Sequence, residues 1–311
     1  MTPLIAGGMV EGVTNRHADH PLLEPDHLRR RLCLMARVSA ADITRAIEAL
    51  ALGGAVVCIH ASLRSLGQPL SDGADTIIDA FLAQGCTILS PTFSDDFAIW
   101  PPAALQLPRN GWDYQRARIA YPGEQRIFHT SSNDLTIADM GQLAAAILAR
   151  PHRQRGNHPL CSFTAIGPRS HELVSSQRPE DLCAPFRVLA DLDGLVLLAG
   201  VDLTSMTLLH YCEAAAGRTL FRRWANGDSG TPILVECGGC SNGFAAFEPV
   251  LKEVSREHQV AASRWRVFPA SDVVTLAGEA IRTTPAMTSC GNPQCSRCRD
   301  AFLGGPILHS P

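Results

Sequence analysis

The sequence predicts an α/β fold in which a central mixed sheet is flanked by helices. Helical and strand-like segments alternate along most of the 311 residues, and no internal repeat or low-complexity linker interrupts them. Apolar residues make up 46% of the chain and charged residues 18%, which is typical of a globular protein with a sizeable core. We expect residues 1–30 to form an N-terminal lead and residues 31–311 a single α/β domain, in which residues 237–311 carry a cluster of cysteines.

The first predicted helix covers about residues 40–52. Ser39 is a candidate N-cap, Asp42 stands at the capping-box spacing, and apolar residues recur at helical intervals up to Leu50. The two glycines at 53–54 end the helix. The same reasoning predicts further helices at about residues 74–83, 137–149 and 207–216, and strands at about residues 55–59, 87–89, 162–166, 195–198 and 231–236.

The charge and hydropathy of the chain exclude several classes of partner. The formal net charge is −3, whereas a protein that binds nucleic acid without sequence preference usually carries a basic excess. The most apolar run, residues 194–201, has the length of a strand and is too short to span a bilayer. The N-terminal residues lack the pattern of a secretory signal. We therefore expect a cytoplasmic protein without nucleic-acid or membrane partners.

A polar turn directly follows the first predicted strand. Small and hydroxylated residues after a strand leave backbone N–H groups free to meet an anion, and an arginine can add a planar, charge-assisted contact. The alternative is an ordinary strand-to-helix turn with a solvated arginine. No Walker or Rossmann glycine motif occurs here, which disfavours nucleotide hydrolysis and hydride transfer. The candidate anion-binding residues of this turn are Ser62, Leu63, Arg64, Ser65 and Gly67.

Five segments stand in a fixed order between about residues 35 and 250. They are IHASLRSLG at 59–67, SPTF at 90–93, DMG at 139–141 with the helix that follows, NHPLCSF at 157–163, and LLAGVDLTSMTLLHYCE at 197–213. Together they resemble the corresponding segments of aminoglycoside 3-N-acetyltransferases. The resemblance implies direct transfer of an acetyl group from acetyl-coenzyme A to the 3-amino group of an aminoglycoside. It also implies that the turn after the first strand, together with Thr92, binds the coenzyme.

The resemblance of the last segment, at 197–213, implies which residues are catalytic. An ammonium group is not a nucleophile, so a base must remove its proton, and the oxyanion that forms needs hydrogen-bond donors. By resemblance, His210 is the general base, Glu213 orients it or pairs with the substrate ammonium, and Thr207 donates to the thioester carbonyl. On a helix, residues three apart lie on one face. By pattern alone, the same histidine and glutamate would be an ordinary surface pair.

Residues 93–136 are rich in proline, aspartate and aromatic residues without clear periodicity, which is typical of a substrate loop. Asp95 and Asp96 are candidates to bind substrate ammonium groups, with a solvated acidic turn as the alternative. His158 precedes a proline and is therefore extended; it either lines the substrate cleft or fixes a turn. Residues 202–207 read DLTSMT where the family often has GHDSNT, so the substrate rim differs from that of the family.

Eleven cysteines occur in the chain, and five of them are grouped. Two CxxC pairs form knuckles of the kind that bind zinc, and the other six cysteines are scattered among apolar neighbours. We predict a structural zinc ion that stabilises the C-terminal extension, while free thiols or a disulfide are the alternatives. The first choice of ligands is Cys240, Cys290, Cys295 and Cys298, with Cys237 as the substitute.

Four functions are therefore weighed. The first is an antibiotic-resistance acetyltransferase, and the second is a related acyl-coenzyme A N-acyltransferase that acts on a biosynthetic amine. A zinc-stabilised binding protein on an old enzyme scaffold is the third, and retention of the catalytic residues argues against it. A redox protein that uses the CGGC sequence at 237–240 is the fourth, but it leaves the other three grouped cysteines unexplained. The expected partner is a small-molecule amine, and a homodimer is compatible with the sequence.

Overall fold

A seven-stranded mixed sheet forms the centre of the protein in a computed structural model, which describes residues 37–114 and 126–308. The order across the sheet is β3-β4-β2-β1-β5-β9-β8, with β1 parallel to β2 and β5 and with antiparallel strands on both sides. A separate antiparallel hairpin pairs β6 with β7. The strands are β1 (Val56–Ala61), β2 (Thr87–Pro91), β3 (Gln154–Arg155), β4 (Phe163–Ile166), β5 (Leu195–Ala199), β6 (Phe221–Asn226), β7 (Pro232–Cys237), β8 (Arg256–Val260) and β9 (Ser263–Pro269).

Helices cover both faces of this sheet. Strand β1 shows why, because its residues alternate between two apolar clusters: Val56 and Cys58 belong to one, and Val57 and Ile59 belong to the other. A strand that is apolar on both faces must be buried on both faces. The helices are α1 (Ala40–Ala49), α2 (Asp75–Ala83), α3 (Ile137–Ala149), α4 (Ser170–Val174), α5 (Ala184–Asp191), α6 (Leu208–Ala215), α7 (Glu248–Leu251), α8 (Ala270–Thr283) and α9 (Ser296–Phe302).

The mixed sheet between helices confirms the predicted fold class, and its differences from the prediction have local causes. Helix α1 ends at Ala49, earlier than expected, because Ala51 adopts a left-handed backbone (φ 52°) before the two glycines are reached. Helix α3 has the predicted limits but is kinked at Gly141, whose φ of 78° lies outside the helical region. The predicted lead over residues 1–30 lies outside the described residues. The elements without a counterpart in the prediction are strands β3, β6, β8 and β9 and helices α4, α5, α7, α8 and α9.

Within the described residues, the helices are too short or too polar to cross a bilayer. The parallel strands β1, β2 and β5 have their carboxyl ends at the same edge of the sheet. Ligands of open α/β sheets bind outside the carboxyl ends of parallel strands. Here β5 leads through Gly200, whose φ is 71°, and a short turn into helix α6.

The capping box of α1 gives a first testable prediction. The Ser39 side chain accepts a hydrogen bond from the Asp42 amide at 3.3 Å, and the Asp42 carboxylate accepts from the Ser39 amide at 2.8 Å. Replacing Ser39 with alanine should lower the free energy of unfolding by about 1 kcal/mol, because an N-terminal amide of the helix loses its partner. Urea unfolding measures this change. The exposed Ser131, changed to alanine, is the control and should unfold like the wild type.

Candidate functional site

A cavity of about 760 Å³ opens at the carboxyl ends of the parallel strands. The end of β1 contributes Ile59, His60 and Ala61 to its wall, and β2 contributes Ser90 and Pro91. From the segment predicted as a substrate loop, Phe93, Asp95, Ala98 and Trp112 line another side. Further parts of the wall come from helix α3, from the turn before α6 and the helix itself, from β6, from the segment that follows β7, and from α9. This is the position that the fold predicts for a ligand.

His210 lies in this wall and forms a buried pair with Glu213. Their side chains are only 9% and 5% exposed, and Nδ1 of His210 lies 2.8 Å from Oε2 of Glu213. The two residues are three apart on α6, so they lie on the same face of the helix. A carboxylate at this distance accepts the Nδ1 proton and leaves Nε2 with its lone pair. The pair thus has the geometry of a histidine base with its orienting carboxylate.

The imidazole of His210 is enclosed on its other sides. The ring of Phe244 packs against it with centroids 4.9 Å apart. A Cβ atom at Gly238 would lie 2.5 Å from Cδ2 and 2.8 Å from Nε2, so only glycine fits there. The amide nitrogen of Gly239 lies 3.4 Å from Nδ1. Since Nδ1 already donates to Glu213, the Gly239 amide makes a packing contact, and the ring has little freedom to rotate.

Thr207 also lines the cavity, one turn before His210. The turn that precedes it contributes Thr204 and Ser205 to the wall. Met206, which stands where the family often has asparagine, is instead fully buried in the apolar core. At this position, therefore, the side chain that differs from the family packs in the core and does not line the cavity.

The cavity wall carries charges of both signs. Asp95 and Asp139 are the acidic residues, and Arg223 and Arg297 are the basic ones. Asp95 is accessible to solvent, but the protein around the cavity mouth desolvates it and raises the pKa of its carboxyl group. Asp139 and Asp96 act in the same direction, and Arg297 and Arg223 oppose them.

Two other residues predicted to bind substrate lie outside the cavity lining. Asp96 forms an ion pair with Arg126 at 3.5 Å. His158 is completely buried: the Cys161 amide donates to its Nδ1 at 2.8 Å, and Nε2 donates to the Glu236 carbonyl at 2.9 Å. Burial lowers the pKa of His158 to about 4, so the ring is neutral. It holds a turn, which is the second of the two roles that the sequence left open.

The residues predicted to bind coenzyme form a turn just beyond the cavity. Ser65 donates to the Ser62 carbonyl at 2.6 Å, and Gly67 adopts a left-handed conformation (φ 67°) that ends the turn. Arg64 points outward and is exposed, and Leu63 is half-buried beside it. Thr92 is fully buried, and its hydroxyl donates to the Ser162 carbonyl at 3.0 Å. Thr92 therefore supports β4 and does not reach the cavity.

Four thiols meet near the cavity. Their sulfur atoms all lie within 4.8 Å of one another, and the Sγ atoms of Cys290 and Cys298 are 3.4 Å apart. A tetrahedral zinc ion with Zn–S bonds of ~2.3 Å places its sulfurs roughly 3.8 Å apart, so the donor set and spacing fit zinc. These four are the first choice made from the sequence: Cys240, Cys290, Cys295 and Cys298.

The fifth grouped cysteine has a different partner. Sγ of Cys237 lies 3.6 Å from Sγ of Cys161, and both residues line the cavity. The hydrogen bond from Cys161 lowers the pKa of the Cys237 thiol. Residues between the paired cysteines also lie in the cavity wall. They are Gly238 and Gly239 from the first CxxC pair and Arg297 from the second.

Several residues of the wall were not predicted as site residues. Asp139 stands in a segment that resembles the family, so that segment already offered a signal for it. Arg223 and Arg297 had none, because they come from the hairpin strand β6 and from the cysteine cluster, which reach the cavity only through the tertiary fold.

The chain is similar in sequence to known acetyltransferases over most of its length. The sequence model described as aminoglycoside 3-N-acetyltransferase matches residues 58–282. Aminoglycoside N(3)-acetyltransferase VIII of Streptomyces fradiae is 29% identical over 281 residues, which cover 79% of this chain and 92% of that protein.

The fold is also similar to those of solved aminoglycoside acetyltransferases. The crystal structure of aminoglycoside acetyltransferase AAC(3)-Xa has a TM-score of 0.63 at 26% identity and covers 83% of this chain and 96% of that one. A mutant of AAC(3)-IVa, solved in complex with a gentamicin, has the same fold, with a TM-score of 0.68 at 23% identity over 87% of this chain and 99% of that one. The chain therefore belongs to the aminoglycoside 3-N-acetyltransferase family.

Proposed function

We propose that this protein transfers the acetyl group of acetyl-coenzyme A directly to the 3-amino group of an aminoglycoside. The observation that carries the proposal is the buried His210–Glu213 pair, whose histidine lies in the wall of the cavity, in a chain of this family. Two similar proteins support the substrate class: one is named an aminoglycoside N(3)-acetyltransferase, and another was solved with a gentamicin.

In the proposed reaction, Nε2 of His210 removes a proton from the substrate ammonium. The amine then attacks the thioester carbon and the new C–N bond forms. As the C–S bond breaks, the leaving sulfur takes the remaining extra proton of the nitrogen, which gives the neutral amide and coenzyme A thiol, and the imidazolium returns its proton to solvent. Glu213 holds the imidazole by its Nδ1 proton and stabilises the imidazolium that forms. Thr207 donates to the carbonyl oxygen on which negative charge develops.

The two substrates would use different parts of the site. The exposed carboxylates of Asp95 and Asp139 favour a cationic acceptor at the cavity mouth. The turn at residues 62–67 starts where β1 leaves the cavity and offers small, hydroxylated residues and Arg64 to the phosphates of the coenzyme. Its position just outside the cavity suits a long co-substrate of which only the acetyl end has to reach His210.

The four thiols of Cys240, Cys290, Cys295 and Cys298 would hold a structural zinc ion. All four positions of a tetrahedral ion are then filled by protein, so the metal offers no open position for substrate and its contribution is to stability. It would join the segment after β7 to helix α9, although these two parts of the sequence are far apart along the chain.

Release of free thiol from acetyl-coenzyme A, measured with a panel of aminoglycosides, tests the proposed function. We expect turnover with at least one of them, and size-exclusion chromatography of the same sample tests for a homodimer. If no aminoglycoside is acetylated although the protein binds acetyl-coenzyme A, the acceptor is wrong. If the protein does not bind the coenzyme either, the acetyltransferase proposal is wrong.

A second acceptor class is favoured by one observation, namely the presence of two arginines in the cavity wall. Arg297 is exposed, and its guanidinium forms neither an ion pair nor a hydrogen bond with the rest of the described chain. Such a group repels a polycation and attracts an amine that also bears a carboxylate or phosphate. An acyltransferase for a biosynthetic amine of this kind is therefore the alternative.

The substitution Arg297→Gln separates the two classes. For aminoglycosides we expect KM to fall severalfold at unchanged kcat, because a like charge leaves the wall. The exposed Arg282 on α8, changed to glutamine, is the control, and zinc content shows whether the cysteine cluster is intact. A rise in the KM of the acceptor would contradict this expectation and support the acceptor with an anionic group.

A further inference from the structure

The His210–Glu213 pair is held from behind by a third charged residue, Arg218. Its Nη1 donates to Oε1 of Glu213 at 2.7 Å, while the other carboxylate oxygen of Glu213 accepts from His210. The Arg218 side chain is only 9% exposed and that of Glu213 is 5% exposed. Two charge-assisted bonds at opposite oxygens fix the carboxylate plane, and a buried carboxylate is stable only with such partners.

Arg218 is in turn fixed by a segment near the C-terminus, which we name the C-terminal clasp (residues 284–298). Nη1 of Arg218 also donates to Oγ1 of Thr288 at 2.6 Å, and Nη2 donates to the Pro285 carbonyl at 2.6 Å. The clasp lies beyond residue 282, where the match to the family model ends. A part of the chain outside the matched segment therefore positions a residue inside it.

The clasp also contacts the segment after β7, which packs against the imidazole of His210. A Cβ atom at Gly243 would lie 2.3 Å from the Thr288 carbonyl oxygen and 2.5 Å from that of Ser289, so the two backbones run in direct contact. Gly243 belongs to the same segment as Gly238 and Gly239, which pack against the imidazole of His210. The four clustered thiols join the same two segments, through Cys240 on one and the other three cysteines on the other.

We propose that Arg218 is a positioning residue for the His210–Glu213 pair and that the C-terminal clasp holds Arg218 in place. This inference rests on the proposed function, in which His210 acts as the base. Arg218 acts only through Glu213: it stops the carboxylate from rotating, so that Nδ1 of His210 keeps its acceptor and Nε2 keeps facing the substrate. The cysteine cluster then serves the active site as well as stability.

The test compares Arg218→Gln and Arg218→Lys with a matched control. Arg266 is similarly buried, with 6% of its side chain exposed, and it pairs in a different part of the fold with Glu248, which is 45% exposed. Arg266→Gln therefore removes a buried arginine and its ion pair away from the site. We expect Arg218→Gln to lower kcat about tenfold or more, as loss of an outer hydrogen-bond partner does for other oriented histidines, with both KM values nearly unchanged. Arg218→Lys should restore part of kcat, because lysine keeps the charge without the fork.

Two further readouts separate positioning from a merely structural role. The pH profile of kcat/KM should move in Arg218→Gln and stay unchanged in Arg266→Gln. In proton NMR spectra, the Nδ1 proton of His210, identified by its absence in His210→Gln, should be present in wild type and lost in Arg218→Gln. Because this resonance does not depend on turnover, it tests the positioning role even if the protein acetylates no aminoglycoside.

Thr288→Val covers the case in which Arg218→Gln does not fold, since it removes only one hydroxyl from the clasp. We expect a smaller loss of kcat in the same direction and a weaker Nδ1 proton resonance. An unchanged kcat in folded Arg218→Gln, or equal losses in Arg218→Gln and Arg266→Gln with the His210 resonance retained, would overturn the proposal. If Arg218→Gln does not fold, an unchanged resonance and kcat in Thr288→Val would overturn it as well.

Discussion

Replacing His210 with alanine is expected to lower kcat for acetyl transfer by a factor on the order of 10² or more, because the proposed base that takes the ammonium proton is then missing. His60 also lines the cavity, but burial lowers its pKa to about 4 and it lies at the end of β1. His158 is fully buried away from the cavity. Thiol release at saturating concentrations of both substrates measures the effect.

The loss should follow from the missing base and not from a damaged fold. His210 packs against Phe244, so alanine also leaves a void, and His210→Gln fills most of that volume without restoring a base. Both variants should lose kcat to a similar extent. His258→Gln on the edge strand β8 is the control and should turn over like wild type. A wild-type rate in either His210 variant would remove the residue from the mechanism.

Loss of a ligand from the cysteine cluster should produce the largest change in stability. Wild type is expected to contain one zinc ion per chain, and Cys298→Ser should lose it and melt at a clearly lower temperature. Structural zinc contributes roughly 10–16 kcal/mol of apparent binding free energy in zinc-finger peptides, so even a fraction of this dominates the stability of the C-terminal segment. Metal analysis and thermal unfolding of both proteins measure the two effects.

Cys237→Ser is the matched control, because Cys237 opens the same CxxC pair as Cys240 but lies beside Cys161 outside the tetrad. It should keep its zinc and most of its stability. A metal-free wild type whose melting temperature is unaffected by a chelator would contradict the zinc proposal. Zinc lost equally from both variants would show that Cys237 is a ligand after all.

The local features of the site were predictable because they depend on short spacings. Three residues on a helix bring His210 and Glu213 to one face, and the structure shows this contact at 2.8 Å. The alternating or continuous apolar runs of β1 and β5 identify buried strands, and small polar residues after β1 identify the turn at the cavity. A cluster of four thiols was also predicted from the grouped cysteines, with Cys240, Cys290, Cys295 and Cys298 as the first choice and Cys237 as the substitute, and the structure brings the first choice together.

Contacts between distant segments were not predictable in the same way. Arg218 and Thr288 are 70 residues apart, and Cys161 and Cys237 are 76 apart. Neither pair has any local spacing that would reveal it. Strand β8 was missed because arginine, glutamate and histidine on this edge strand obscure its apolar pattern. Strand β9 was missed because Arg264 and Arg266 interrupt its apolar run, although it pairs with β5 inside the sheet.

The sequence by itself therefore determined the fold class, the common helix face of His210 and Glu213, and the grouping of five cysteines from which four were chosen, because each follows from the period of one element or from short motifs. Only the tertiary structure decided that His158 holds a turn, that Cys237 lies beside Cys161, and that the C-terminal clasp contacts Arg218. The physical reason is that local spacing fixes which face a side chain occupies, whereas the order of strands and the packing of loops fix what that face meets.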